Sequence, residues 1–397
     1  MKKLVCDVCG SDSLTKIDGM LVCKACGAKH TIEEAKKQAL SSKSAKTSEP
    51  ILVDISALMS PDFKNDYAEI KSVIIKGEGA IPDEAFKDFK KLKSVTIQPG
   101  ITVIGNSAFF GCKSLQSVVI PNTVTTISAY AFRRCFSLES IELPKSVRLI
   151  ERSAFRQCKS LKEITFPKRI TKIKQSSFMD CISLEKVTIP GMAKYIGVCA
   201  FSGCSSLKEI SLPDSIKKIS KNAFDGCKSL ESINIPRLID IIPPDAFHEC
   251  ESLKTISIPE NVTYIGSGSF SGCLSLETVS LPDKSISIGD YAFLNCRALK
   301  EVGISHDDYS DFASLSYELE DYDDEYVEAK DYYSPSTIYT YAFCDCSNLK
   351  TVTVPSGVTA IKDDAFFGCS SLEEITIPKT LKSIGNLKRY CRKLIKQ

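Results

Sequence analysis

The chain has 397 residues, 25% of them charged, a formal net charge of +2 and 18 cysteines. So small a net charge supplies no global field for gripping nucleic acid, and no stretch approaches the roughly 20 apolar residues of a membrane-spanning helix. The length provides ample core, so the cysteine count does not require a small disulfide-stapled fold.

Taken in chain order, Met1 to Asp7 begins with Lys2 and Lys3, but no apolar run of signal-peptide length follows. This gives a cytoplasmic expectation, with the cell surface as the alternative. Cys6, Cys9, Cys23 and Cys26 then form C-x2-C-x13-C-x2-C. Two such knuckles suit one tetrahedral ion held about 2.3 Å from each of four sulfurs, and four thiolates leave no open position for substrate. The expectation for residues 1–30 is therefore one structural zinc ion. Gly10 and Gly27 follow the second cysteine of each pair, where a residue without Cβ permits the tight turn that aims N–H groups at sulfur. The module is similar to a zinc ribbon. Its lysines are diluted by Asp7, Asp12 and Asp18 and it has no aromatic side chain, so a protein is expected to dock there rather than nucleic acid.

Thr31 with Glu34 makes a capping box, which predicts a short helix; Ser41 to Pro50 reads as flexible linker, closing a segment of residues 31–50.

From Phe86 to Phe293 a phenylalanine recurs every 23 residues, and the spacing returns at Phe343 and Phe366. Leu lies six positions after all twelve, from Leu92 to Leu372, and Val or Ile nine after, as at Val118 and Ile141. Pro lies twelve after ten of them, Gln98 and Ser305 holding the other two places. A fixed period of this length means a solenoid over residues 51–384. Leu115 to Ile120 alternates apolar and polar residues as a half-buried strand does, and Pro121 ends it. Twelve such strands stacked in parallel about 4.8 Å apart give a sheet roughly 55 Å long, with columns such as Ile104, Ile127 and Ile150 inside. Eleven cysteines fall three positions after the Phe, from Cys112 to Cys369, and Phe89 takes the place in the first repeat. A thiol is a small apolar filler, so the column is expected to pack rather than to cross-link.

The unit Ile127, Ala131-Phe132, Cys135, Leu138, Ile141 to Pro144 and Val147 resembles the BspA-like leucine-rich repeats. That resemblance implies an α/β-poor repeat solenoid with a parallel β-sheet face, here preceded by the small zinc ribbon and short helix. It also implies roles in adhesion and protein binding, with no shared catalytic residues.

Between Ile304 and Ile338 the chain uses 27 extra residues, so an insertion spans about 305–334. Asp307 to Asp331 holds eleven Asp or Glu against Lys330 alone. Tyrosines among carboxylates suit recognition of a basic protein surface, and Tyr309, Tyr317, Tyr322, Asp323, Asp324 and Tyr326 are the candidate contacts. On the strand face, the column ten positions after each Phe is dominated by small hydroxyl residues; Thr165, Thr188, Ser211 and Asn234 at its centre are candidates to meet a partner through hydrogen bonds. Residues 385–397 read as a truncated repeat, keeping Cys391 and Leu394, with a basic tail. The histidines His30, His248 and His306 stand in unrelated segments, and no phosphate loop or nucleotide fingerprint is present, so no enzyme is expected. The function this supports is a protein-binding scaffold. The alternatives are a cell-surface antigen or adhesin and a nucleic-acid-associated regulator.

Overall fold

The computed structural model describes residues 14–17, 20–23, 29–31, 49–60, 62–305 and 334–397. Each 23-residue period closes one coil of a parallel β-solenoid. In the coil around Phe109, Ser117–Val119 forms a first strand, Pro121 ends it, and Thr126–Ile127 forms a second strand before the next arc. Through the regular coils the strands stack at a step of one period, as in Glu163↔Lys186 and Thr165↔Thr188 on the first column and Ile127↔Ile150 on the second. The first column runs from Ile51–Asp54 to Lys393–Lys396 with breaks at residues 140–143 and between Ser232–Ile233 and Thr255–Ser257.

Between the two strand columns the chain turns through an arc centred on the phenylalanine. Left-handed residues flank that ring on both sides, as at Glu84 (φ 56°) and Asp88 (φ 62°) around Phe86. This alternation turns successive N–H groups the same way. The N–H groups of Glu84, Phe86 and Asp88 donate to the carbonyls of Asn106, Ala108 and Phe110 in the following coil, at 2.8, 2.7 and 2.7 Å. The same trio recurs at Tyr130, Phe132 and Arg134. Inside the arc the phenylalanines form one column of near-parallel rings: 5.2 Å between the centroids of Phe86 and Phe109, 5.5 Å between Phe224 and Phe247, 5.1 Å between Phe343 and Phe366. Leu115, Ile127 and Cys135 and their equivalents fill the remaining interior and are fully buried.

The ends are built differently from the middle. At the start, Ile51–Asp54 (β4, counting the three strands Leu14–Ile17, Met20–Cys23 and Lys29–Thr31 as β1 to β3) leads into two short helices, Ile55–Leu58 and Phe63–Tyr67. Phe63 packs edge-on to Phe86 at 5.5 Å and against Phe89 at 5.9 Å, so the aromatic at 89, where later coils carry cysteine, closes the phenylalanine column. At the other end, Asn386 accepts the Asp364 N–H at 2.8 Å and donates to the Asp364 carboxylate at 2.8 Å, and the Tyr390 hydroxyl donates to the same carboxylate. Lys393–Lys396 then pairs in parallel with Glu374–Ile377, so these basic residues form the last rung of the sheet.

The strands β1, β2 and β3 form an antiparallel sheet in that order, with Leu14 opposite Cys23 and Met20 opposite Thr31. Thr31 is thus extended, as a helix N-cap residue is, and the helix expected after it lies outside the described residues.

Candidate interaction surface

Along the first strand column the residues alternate in and out: Ile164 and Val187 point into the core, while Glu163, Thr165, Lys186 and Thr188 are exposed. Thr165 and Thr188 are direct cross-strand neighbours, the pairing that small β-branched hydroxyl residues favour. Ser211 and Asn234 continue the exposed column just beyond the two-residue strands Glu209–Ile210 and Ser232–Ile233. There the ladder gives way to a side chain. Asn234 donates to the Leu212 carbonyl at 2.6 Å and accepts the Leu212 N–H at 2.9 Å, so its amide satisfies a peptide group rather than presenting both ends to a partner.

A charged row flanks the hydroxyl column. Lys254 meets Glu231 and Lys300 meets Glu277, each at 2.7 Å and one coil apart. Hydrogen bonds from these lysines hold the Glu231 and Glu277 carboxyls below the usual carboxylate range. The face is therefore polar, pre-ordered and nearly self-compensated in charge, a surface suited to matching another protein's backbone and side chains rather than to moving protons.

Of the histidines, His248 lies on the arc with Nδ1 2.9 Å from the Asp225 carboxylate, and His30 stands opposite Leu21 in the small sheet. His306 lies outside the described residues. Among the described residues no group of three His, Cys, Asp or Glu side chains is placed to hold a metal ion. Cys23 ends β2, while Cys6, Cys9 and Cys26 lie outside the described residues. So do Tyr309, Tyr317, Tyr322, Asp323, Asp324 and Tyr326.

The insertion's two ends are well placed. Ser305 donates its N–H to the Leu281 carbonyl at 2.8 Å, and the Ser334 carbonyl accepts from the Ser287 hydroxyl at 3.2 Å. Between them the stack continues without a fault: Val302 pairs with Val352, Ile288 with Ile338, and the rings of Phe293 and Phe343 lie 5.0 Å apart. The extra residues leave from the corner after the first strand and return before the second.

A model of the BspA type leucine rich repeat region matches residues 79–197, 171–300 and 333–396, well over half of the chain. The chain belongs to the BspA-type leucine-rich repeat family. The BspA-type solenoid is similar in structure to a leucine-rich repeat protein from Bacteroides ovatus ATCC 8483, with 25% identity over 94% of this chain and 90% of that one and a TM-score of 0.63. A leucine rich cell surface protein from Faecalibacterium prausnitzii A2-165 matches 77% of this chain and 82% of its own at 29% identity and TM-score 0.48. A leucine-rich repeat protein from Eubacterium ventriosum ATCC 27560 covers 80% and 90% at 21% identity and TM-score 0.46. No curated protein matches the chain. Among the described residues no helix is long and apolar enough to cross a membrane.

Column counting misses one feature of this BspA-type chain. On the arc edge of the second to fourth coils, Phe110, Tyr130 and Phe136 stand among arginines and lysines. The signal sits in variable positions two before, immediately after and four after a core phenylalanine, which a search for recurring residues discards.

Proposed function

We propose that this BspA-type chain is a non-enzymatic protein-binding scaffold of the cytoplasm, gripping a partner with the exposed strand face that contains Thr165, Thr188 and Ser211. The observation that carries this is the column of parallel strands, which holds one exposed polar row at fixed spacing over many coils. Its backbone is already ordered, so binding costs little conformational entropy. The free thiols of the described cysteines, from Cys112 to Cys391, suit a reducing compartment.

The acidic, tyrosine-rich insertion supplies a second contact, directed at a basic protein surface. Its ends are anchored to the solenoid, so it emerges beside the strand face at a defined corner. The N-terminal module is the third element. A donor set of four cysteines in two C-x2-C pairs, with Cys23 closing a strand of an antiparallel sheet, fits one structural zinc ion, and this zinc ribbon serves as a further docking module.

Proximity labelling in the source cells tests the scaffold. Replacing Thr165, Thr188 and Ser211 together by Glu, on a chain that melts as the unaltered one does, is expected to remove the labelled partners; an unchanged set overturns the reading. Protease applied to intact cells tests the compartment: protection until lysis is expected, and digestion beforehand places the protein on the surface.

A further inference from the structure

The arc edge carries a basic surface with an unusual construction. Phe110 has Lys87, Arg133 and Arg134 within 5.6 to 5.9 Å of its ring centre, all three taken from the two neighbouring coils. Tyr130 is flanked by Arg133 at 5.5 Å and Arg152 at 5.7 Å. Phe136 carries Lys113 at 5.6 Å and Lys159 at 5.2 Å. Cations and rings thus interleave over four coils, from Lys87 to Lys159.

Arg133 is the centre of this surface. Its guanidinium lies between two rings, and its Nε is buried without a hydrogen-bond partner. Partial burial, followed by repulsion from Arg156 and Arg134, holds it below its ordinary value, so like charges surround it. Arg134 and Arg152 are exposed, and Arg134 uses Nε on the neutral Gln157 side chain at 3.1 Å. Of the nearby carboxylates, Glu84 pairs with Lys87 at 2.7 Å and Asp180 lies 4.0 Å from Arg156, while Asp88 lies against Gly111 and Glu151 precedes Arg152. A guanidinium stacked on a ring keeps its N–H edge free for a carboxylate, and the stack fixes its plane. Because the ring faces are already covered by cations, they are poorly placed to stack nucleobases. The construction favours carboxylates carried on a polypeptide.

Resting on the reading of the insertion as a recognition segment, we infer that the basic surface around Arg133 receives the acidic segment 307–331 of a second copy of this chain. The two are complementary: eleven carboxylates among tyrosines on one side, stacked arginines and lysines on the other. The same chain is poorly placed to serve itself. Eight coil steps of about 5 Å separate Phe132 from Phe343, where the insertion is spliced, so the distance is roughly 40 Å. A segment of 28 residues running out and back reaches at most about 46 Å, which spends nearly its whole length on travel and leaves only its tip to bind. The contact therefore joins unlike surfaces of two copies, a head-to-tail arrangement.

The test uses the full-length chain and a fluorescent peptide of residues 306–333. The peptide is expected to bind at about 50 mM salt and to weaken about tenfold at roughly 300 mM. The double variant R134E/R152E changes only exposed side chains and leaves Arg133 in its stack; with an unaltered melting temperature it is expected to lose at least about tenfold in peptide affinity. In sedimentation, the unaltered chain is expected to associate with rising concentration. R134E/R152E alone, and a chain with the acidic residues of 307–331 changed to their amides alone, are each expected to remain monomeric, while a mixture of the two forms a one-to-one pair, since each retains the half the other lacks. Equal peptide binding by R134E/R152E overturns the proposal, as does tighter binding of a 20-mer oligouridine than of the peptide, which assigns the surface to nucleic acid. If the amide variant loses labelled partners in cells while the unaltered chain stays monomeric, the recognition segment stands and the second-copy assignment fails.

Discussion

The thiol of Cys135 donates a 3.2 Å hydrogen bond to the carbonyl oxygen of Phe109, 26 residues back and one coil below. The relationship repeats from Cys112 on Phe86 at 3.0 Å to Cys369 on Phe343 at 3.1 Å. The insertion does not disturb it, since Cys346 reaches Phe293 at 3.2 Å across 53 residues. Each of these carbonyls also accepts the N–H of the residue three on, as Phe109 does from Cys112 at 3.2 Å, so the thiol is a second donor, reaching back from the next coil. Alanine would fill part of the space and leave the oxygen with its backbone donor alone.

The thiols should make the fold sensitive to alkali. Their ordinary value is 9.0, and burial pushes Cys181 and Cys273 up to about 12, with Cys204 and Cys250 also well above the ordinary value. Above pH 9 the unfolded chain releases thiol protons that the folded chain retains, so the unfolded state binds fewer protons and stability falls as pH rises; below pH 9 the contribution is fully present. Each thiol can contribute up to about 1.4 kcal/mol per pH unit in that window. Melting temperatures measured from pH 7.5 to 11 are expected to be level up to about 9 and then to drop steeply, and less steeply for a Cys181→Ala, Cys204→Ala chain. A level curve throughout would contradict the buried-thiol account.

Two serines occupy the small position just before the core phenylalanine, with opposite consequences. Ser177 donates to the Lys174 carbonyl at 2.6 Å, whereas Ser269 is fully buried and its hydroxyl has no hydrogen-bond partner. Most other coils carry alanine there, as at Ala154 and Ala246. Ser269→Ala is expected to stabilise the chain by about 1 kcal/mol and Ser177→Ala to cost about 0.5–1.5 kcal/mol, both read from denaturant midpoints. Equal effects would show that the Ser269 hydroxyl is satisfied.

Asn234 and Thr188 share the exposed column but differ in what they hold. Asn234→Ala leaves the Leu212 N–H and carbonyl without their side-chain partners and is expected to cost about 1–2 kcal/mol in chemical denaturation. Thr188→Ala is expected to stay within about 0.5 kcal/mol. A partner that tolerates Asn234→Ala but not Thr188→Glu would assign recognition to the hydroxyls.

For the zinc ribbon, purified chain is expected to contain one zinc per molecule, and Cys9→Ser to lower the metal content and expose the segment to protease. A structural zinc site supplies on the order of 10 kcal/mol of folding free energy in so small a module. Metal-free protein with an intact N-terminal segment would dismiss the ion. The solenoid melt should be unmoved in either case, because its core is built from residues 51 onward.

Much of the fold was legible because it is written in columns. Phe, Leu and Cys at fixed offsets repeat one local solution to burial, so a single period establishes both the coil and its interior. The second strand column was not visible: pairs such as Thr126–Ile127 are two residues long, too short for alternation to register. The left-handed corners were hidden for a related reason. Gly111 and Gly203 occupy one of them, but Arg134, Gln157 and Asp180 occupy the same position in other coils, held there by inter-coil hydrogen bonds rather than by glycine's freedom. On the surface, Thr165 and Thr188 could be placed face-out from sequence, whereas the bonds that occupy Asn234 depend on a ladder that ends one residue early.

The arcs also give the molecule a grain. Within each arc a coil hands its peptide hydrogens forward, so there a cut leaves hydrogens on the piece that keeps the N-terminus and oxygens on the other, while beside the arc the next coil hands hydrogens back, as Gly105 does to Ile81. Such pieces can be rejoined in one sense only. Asn386 and the helices before residue 70 are the dressings over these two ends, and a protease that removed either would turn a finished molecule into a monomer for one-way polymerisation.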